Sequence, residues 1–246
     1  KIVHCSDIEL LSKRKYIEER LKKQSLSEGK DSEFSINEVF TELIDDLEQL
    51  NKETITSKLF DIELEIEKIL SSPMPGIINI LDILSQKTTL IASSDTYLTT
   101  EMLFQILEHF GLNKYFKKIY ASSRYKLSKS SGNLFKFILK EEDINPQEFL
   151  HIGDNFISDY FIPKRLGIKS ICINNKWNFI RRNFIKISEN MSNKSSFWKN
   201  YFMLLNILLA KKHPESKNEF LYYFGYTFIG PLLTIFIHLL FIELKE

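Results

Sequence analysis

FLHIGDNFISD, residues Phe149 to Asp159, decides how the rest of the chain is read. An apolar run ends at Gly153-Asp154, and five residues after that carboxylate Asp159 stands where a helix would open. In an α/β protein this is the layout of a site at the carboxyl end of a strand, where glycine lets the backbone turn and an aspartate projects into the crevice. Two carboxylates there can hold a hard cation such as Mg²⁺ through oxygen and water ligands. Taken alone, Gly-Asp after a strand is more often a turn with a helix cap. The motif gains weight only if other strands end in matching chemistry.

Working outward, Pro73, Pro75 and Gly76 break a helical pattern, and after them strand-like and helix-like segments alternate. That alternation predicts an α/β fold, a parallel sheet with crossover helices. The expected order is helix 76–85, strand 88–93, helix 99–110, strand 117–121, helix 131–140, strand 149–152, helix 159–166 and strand 169–174. Gly111 and Gly167 fall where helices should stop, and Pro163 lies in a first turn, where a missing amide costs little.

The strand ends then align. TTLIASSD places Ser94 and Asp95 just past a strand, where a hydroxyl with nearby amides can bind a phosphate oxygen; a Ser-Asp pair capping the next helix is an equal alternative. YASSRYKLSKSSG supplies Lys126 and Lys129 after the next strand, followed by the turn Ser130-Ser131-Gly132. Most lysines are solvated surface charges, and only position at a crevice singles these two out. A hydroxyl, a lysine and two carboxylates after separate strands form a set with a chemical reason, since phosphate needs donors and positive charge while a cation needs carboxylates. His151 inside its strand reads as a packed, hydrogen-bonded histidine, and His109 as a last-turn residue favourable to the helix dipole.

The flanks differ from this core. Residues 6 to 71 read as three helices: one from a Ser6/Glu9 capping box to about Lys23, one over Ile36–Leu50 behind Ser35 as cap, and one over Lys52–Leu70. Their many charges read as a solvated face. A net charge of +1 without a polybasic run gives no hint of a nucleic-acid partner. Cys5 and Cys172 are too few and too far apart for a disulfide framework or zinc site, and a reducing compartment is the simpler reading. No secretory signal opens the chain, and the first residue is Lys1, which suggests processing or a piece of something longer. After the last strand, Trp177, Phe179, Trp198, Tyr201 and Phe202 alternate with basic residues and read as core-covering aromatics of a helical tail. Phe220 to Ile242 is apolar at bilayer-spanning length, yet Gly225, Gly230-Pro231 and His238 interrupt it. A buried or interfacial helical pair is expected there.

Three segments in order, SDTYL at 94–98, SKSSGNLF at 128–135 and HIGDNFISD at 151–159, resemble the core of the haloacid dehalogenase-like phosphohydrolase superfamily. Within it, the chain resembles the subgroup found beside or within bacterial glycosyltransferases. The resemblance implies a Rossmann-like core over 72–175 and a helical cap over 1–71, and residues 176–246 read as a C-terminal aromatic and apolar helical extension. The resemblance also implies Ser94 as the phosphate-binding hydroxyl, Lys129 as the family's lysine, and Asp154 and Asp159 as holders of Mg²⁺. The family's aspartate nucleophile, at the end of a first strand in a DxDxT-like motif, has no match here. Asp7 with Glu9 is the nearest candidate if Ile2–Cys5 is that strand, but the capping box favours a helix start, and the chain then looks cut just after its first strand. A strand in that position would lie mid-sheet, between those ending at Ser94 and Asp154. The expected function is phosphate monoester hydrolysis through an aspartyl-phosphate in the full-length parent, lost in this chain. The alternative is a non-catalytic interaction or phosphate-binding module of a glycan-synthesis protein. The implied partners are a small phosphorylated substrate or sugar intermediate and a glycosyltransferase domain. The implied location is the cytoplasm, with peripheral membrane contact through 220–242.

Overall fold

The computed structural model describes residues 7–45, 49–74 and 76–173. Ser6, Cys5, Ile2–Cys5 as a candidate strand, the aromatic segment after Ile173 and the apolar stretch Phe220–Ile242 lie outside the described residues. No described helix is long and apolar enough to cross a membrane.

Helix α1 spans Asp7–Ser27, four residues past the predicted end and into a segment expected to be loop. Helix α2 (Ile36–Leu43) starts as its sequence directs. Ser35 is the N-cap, its amide donates to the Glu38 carboxylate at 2.8 Å, and Ile36, Val39, Phe40 and Leu43 bury one face. The helix was expected to run to Leu50 but closes at Ile44, and α3 (Gln49–Leu70) begins earlier than predicted. The helices pack through Ile17, Leu21, Phe40 and Leu64, and the same cluster takes in Leu98 and Met102 from the segment that follows. Helical region and α/β region therefore share a core, and residues up to Ile173 form one compact unit.

After α4 (Ile77–Ser85) the chain alternates as predicted: β1 (Ile91–Ser94), α5 (Thr100–His109), β2 (Lys118–Ala121), α6 (Ser122–Tyr125), α7 (Asn133–Glu141) and β3 (Leu150–Gly153). A π-helical segment, Phe156–Phe161, then leads into α8 (Ile162–Arg165) and β4 (Lys169–Cys172). Strands lie within three residues of the predicted bounds, while the short α6 was not foreseen. His109 closes α5, and Gly111 and Gly167 take positive φ just past their helices.

Both ladders are parallel. β1 pairs with β2 from Ile91↔Lys118 to Ser94↔Ala121, and β3 with β4 from Leu150↔Lys169 to Gly153↔Cys172. Among the described residues no ladder joins one pair to the other. Tyr120 of β2 is fully buried with Leu134 and Ile138 of α7.

Candidate active site

Lys129 sits in the turn between α6 and α7, and three carboxylates from three parts of the chain converge on that turn. Asp31, between α1 and α2, accepts from the Ser128 amide at 2.7 Å. Asp95, just past β1, accepts from the Lys129 amide at 2.8 Å. Asp159, in the π segment after β3, accepts from Lys129 Nζ at 2.7 Å. The turn keeps its own shape through the Ser131 amide donating to Ser128 Oγ at 3.1 Å, and Gly132, at φ 84°, opens α7 against Ile162 and Leu166. The carboxyl ends of β1 and β3 are thus linked through one lysine.

Asp159 is only 3% exposed, and its oxygens are all engaged. Oδ1 faces Lys129 Nζ and, at 3.1 Å, His151 Nε2; Oδ2 accepts from the Asn155 amide at 3.0 Å. Burial pushes this carboxyl up, but the hydrogen bonds from His151 and Lys129, the lysine's charge and the Asn155 amide outweigh it and hold the group well below the usual carboxylate range. Gly153 makes the approach feasible: a Cβ there would stand 2.5 Å from Asp159 Cγ, a distance no side chain tolerates. The glycine read as a turn-maker is needed as empty space. His151 is buried with its ring edge-on to Phe135 at 4.8 Å, the packed and hydrogen-bonded histidine the sequence suggested.

Ser94 ends β1 opposite Ala121, half-buried at the same end of the sheet as the Lys129 turn. Asp95 does not cap the next helix. That role belongs to Thr99, whose hydroxyl accepts from the Met102 amide at 3.2 Å, leaving Asp95 to hold the lysine turn. Local dehydration of the Asp95 carboxyl raises its pKa despite the residue's overall exposure, and the Lys129 amide and charge work against that rise. Asp154 follows β3 and is exposed. Lys126, singled out with Lys129, is not brought to the strand ends: it caps α6 in the left-handed region at φ 55° and pairs with Glu38 of α2. Asp7 opens α1 as a helical residue, in keeping with a helix start rather than a strand-end nucleophile.

Two carboxylates that reach this part of the molecule were missed, Asp31 and Glu33. The latter accepts from Ser122 Oγ at 2.7 Å, while Ser122 Oγ accepts from the Thr96 amide at 2.9 Å, so the α1–α2 loop also reaches the turn after β1. Burial raises the Glu33 carboxyl, and Asp95 and Asp31 add to the rise. The charges of the helical region are not all a solvated face either. Arg14 donates to both oxygens of Glu63, at 2.9 and 2.7 Å, and the Tyr97 hydroxyl lies 3.0 Å from Glu63 and 2.7 Å from Glu67.

Mg²⁺ keeps several waters and takes one or two carboxylates together with substrate oxygens. Asp154, exposed after β3, and Asp159, whose oxygens accept from Lys129, His151 and Asn155, are the two carboxylates the sequence offers for that role. Among the described residues no group of three His, Cys, Asp or Glu side chains is placed to hold a metal.

A family model of haloacid dehalogenase-like hydrolases matches residues 10–173, about two-thirds of the chain. Among solved structures, a 2-haloacid dehalogenase from Pseudomonas syringae is similar with a TM-score of 0.53 and 17% identity, covering 70% of each chain. A Streptococcus pneumoniae core domain described as that of a phosphoglycolate phosphatase is 23% identical over 42% of this chain and 72% of its own, with a TM-score of 0.36. A magnesium-bound Bacillus subtilis protein described as a HAD-hydrolase is 16% identical over 67% of this chain and 71% of its own, with a TM-score of 0.42. No curated protein matches the chain. The dehalogenase shares the fold, and the family match spans the helical region and both ladders alike. The chain belongs to the haloacid dehalogenase-like hydrolase family.

Proposed function

We propose that this chain is a phosphohydrolase-type module that receives a phosphoryl group at the linked ends of β1 and β3. The observation that supports this is the position of Lys129, whose side chain is 12% exposed and paired with Asp159 in the turn that also bonds Asp95 past β1. An ammonium has three donors, and among the described residues Asp159 is the one hydrogen-bond partner of Lys129 Nζ, so its other donors can serve an anion. Buried pairing with Asp159 holds the lysine in one place, which is what a preorganised phosphate site needs. Ser94, at the end of β1, is the hydroxyl we assign to a phosphate oxygen. Asp154 is the carboxylate we assign to Mg²⁺, which when bound supplies charge neutralisation to the phosphoryl oxygens.

The substrate class is a small phosphorylated metabolite or sugar intermediate, and the partner is a glycosyltransferase domain in a cytoplasmic setting with peripheral membrane contact through 220–242. Turnover through an aspartyl-phosphate needs a nucleophilic aspartate, and in this proposal no described residue is assigned that role. Of the carboxylates at the described strand ends, Asp95 and Asp159 are committed to holding Lys129 and its turn. The same geometry also supports a module that binds phosphate without hydrolysing it.

Titration of the full chain with inorganic phosphate in millimolar Mg²⁺ tests the reading. Binding should weaken at least about tenfold, roughly 1.4 kcal/mol, in Lys129→Ala. Equal binding by both proteins would overturn it. Hydrolysis of a generic phosphate monoester that disappears in Asp7→Asn would assign the nucleophile to Asp7 and overturn its reading as a helix start.

A further inference from the structure

Among the described residues, one side chain of the helical region, Asp31, hydrogen-bonds the turn that carries Lys129. Asp31 Oδ2 accepts from the Ser128 amide at 2.7 Å and from Ser131 Oγ at 2.6 Å, and Oδ1 accepts from Asn133 Nδ2 at 3.0 Å. Its backbone is fixed as well: the carbonyl accepts from Ser25 Oγ at 2.7 Å, and the amide donates to the Lys126 carbonyl at 3.1 Å. The carboxylate therefore spans the turn from the residue before Lys129 to the first residue of α7, and its own position is set by the end of α1.

We propose that Asp31 is a positioning residue that fixes Lys129 from the helical region, so that the packing of α1 and α2 sets the geometry of the phosphate-binding lysine. This rests on the reading of Lys129 given above, and deepens it. Asp159 and Asp95 hold the lysine from the strand ends, and Asp31 closes the third side. A change in how α1 and α2 sit on the core is then felt at Lys129 Nζ through the Ser128 amide and the start of α7, without any contact between Asp31 and substrate.

The hydrogen-bond chemistry makes a specific demand. Asparagine at position 31 can turn its carbonyl oxygen to the Ser128 amide and the Ser131 hydroxyl and its NH₂ to Asn133, which can flip its own amide to present oxygen. An aspartate at position 133 facing Asp31 would instead set two carboxylates against each other. Exchanging the two residue types restores one donor and one acceptor across the gap.

The experiment uses the full chain and competitive acetylation with acetic anhydride, comparing Lys129 with Lys136, an exposed lysine on α7. Asp31→Ala should label Lys129 about tenfold faster relative to Lys136, the change expected from local opening of the turn, and Asn133→Asp should do the same. Asp31→Asn and the double variant Asp31→Asn/Asn133→Asp should stay within about twofold of the unmutated chain. Unchanged labelling in Asp31→Ala, or labelling in the double variant as fast as in Asn133→Asp, overturns the proposal. Should Asp31→Ala fail to fold, the Asn133→Asp and double-variant pair still decides it. Inorganic phosphate is added in a parallel series. If it does not slow Lys129 labelling in the unmutated chain, the phosphate reading fails, while the contrast among the variants continues to support or overturn the positioning role.

Discussion

The two ladders are alike in length, direction and register count, yet they are buried differently. In β1–β2, Tyr120 and Ala121 are fully covered, with α7 supplying Leu134 and Ile138. In β3–β4, Leu150 and Ile152 on one face, and Ile171 beside Ile152, are 48, 40 and 49% exposed, while the opposite face buries His151 and places Gly153 against Asp159. Parallel sheets are ordinarily covered on both faces. The first ladder thus owes its place to a packed core. The second owes its place to the polar cluster on its inner face, with hydrogen bonds and close approach doing what side-chain packing does for the first.

Truncating Leu134, which has no exposed surface, should cost about 2–5 kcal/mol in urea unfolding of the full chain, against about 0.5 kcal/mol or less for Ile152→Ala. Equal costs would erase the contrast. Gly153→Ala tests the second ladder from its inner side. Its Cβ must displace Asp159 or the strand, with an expected loss of about 1–3 kcal/mol, and Asp159→Gly, which also removes the Asp159 Cβ that would stand 2.6 Å away, should make the cost of adding Gly153→Ala smaller than it is in the unmutated chain. An equal cost in both backgrounds would locate the strain elsewhere.

The smallest effect is the most diagnostic. Asp159 titrates below its unfolded value, so its contribution to stability is present above the unfolded carboxylate pKa and is lost as pH falls through the folded one. Glu33 is shifted upward, so it has the opposite sign: it weakens the fold as pH rises past its unfolded value. Between about pH 6 and 3, Asp159→Asn should therefore flatten the acid limb of the stability profile, and Glu33→Gln should steepen it. Parallel profiles for both variants would show that neither carboxylate carries the shift.

The strands and most helices were legible because apolar runs punctuated by glycine and proline are local signals. The break between α2 and α3 was not, since apolar spacing continues through Ile44 and Leu47 while the helix closes at Ile44. At the site, two strand-end motifs sufficed to bring Lys129 and Asp159 forward, and the structure pairs them. Lys126 was overvalued because its partner Glu38 lies 88 residues away, beyond the reach of any local pattern. Asp31 was overlooked for the same reason: in GKDSE it reads as loop polarity, and its partners come from Ser128 to Asn133. Asp95 was half-read, as a cap, because serine and aspartate before a helix fit that pattern until Thr99 is seen to fill it.

The Asp31 contact with Asn133 also joins residues 102 positions apart in the chain. Closing so long a loop costs about 2 kcal/mol more in chain entropy than closing one of ten residues. A bond of that kind rewards an assembly already made rather than starting one, because each of the segments it joins can first gather its own short-range contacts. The lysine turn is thus held in part by a contact that exists only where the fold has brought the two ends of this long loop together, so the site's geometry depends on the assembled fold.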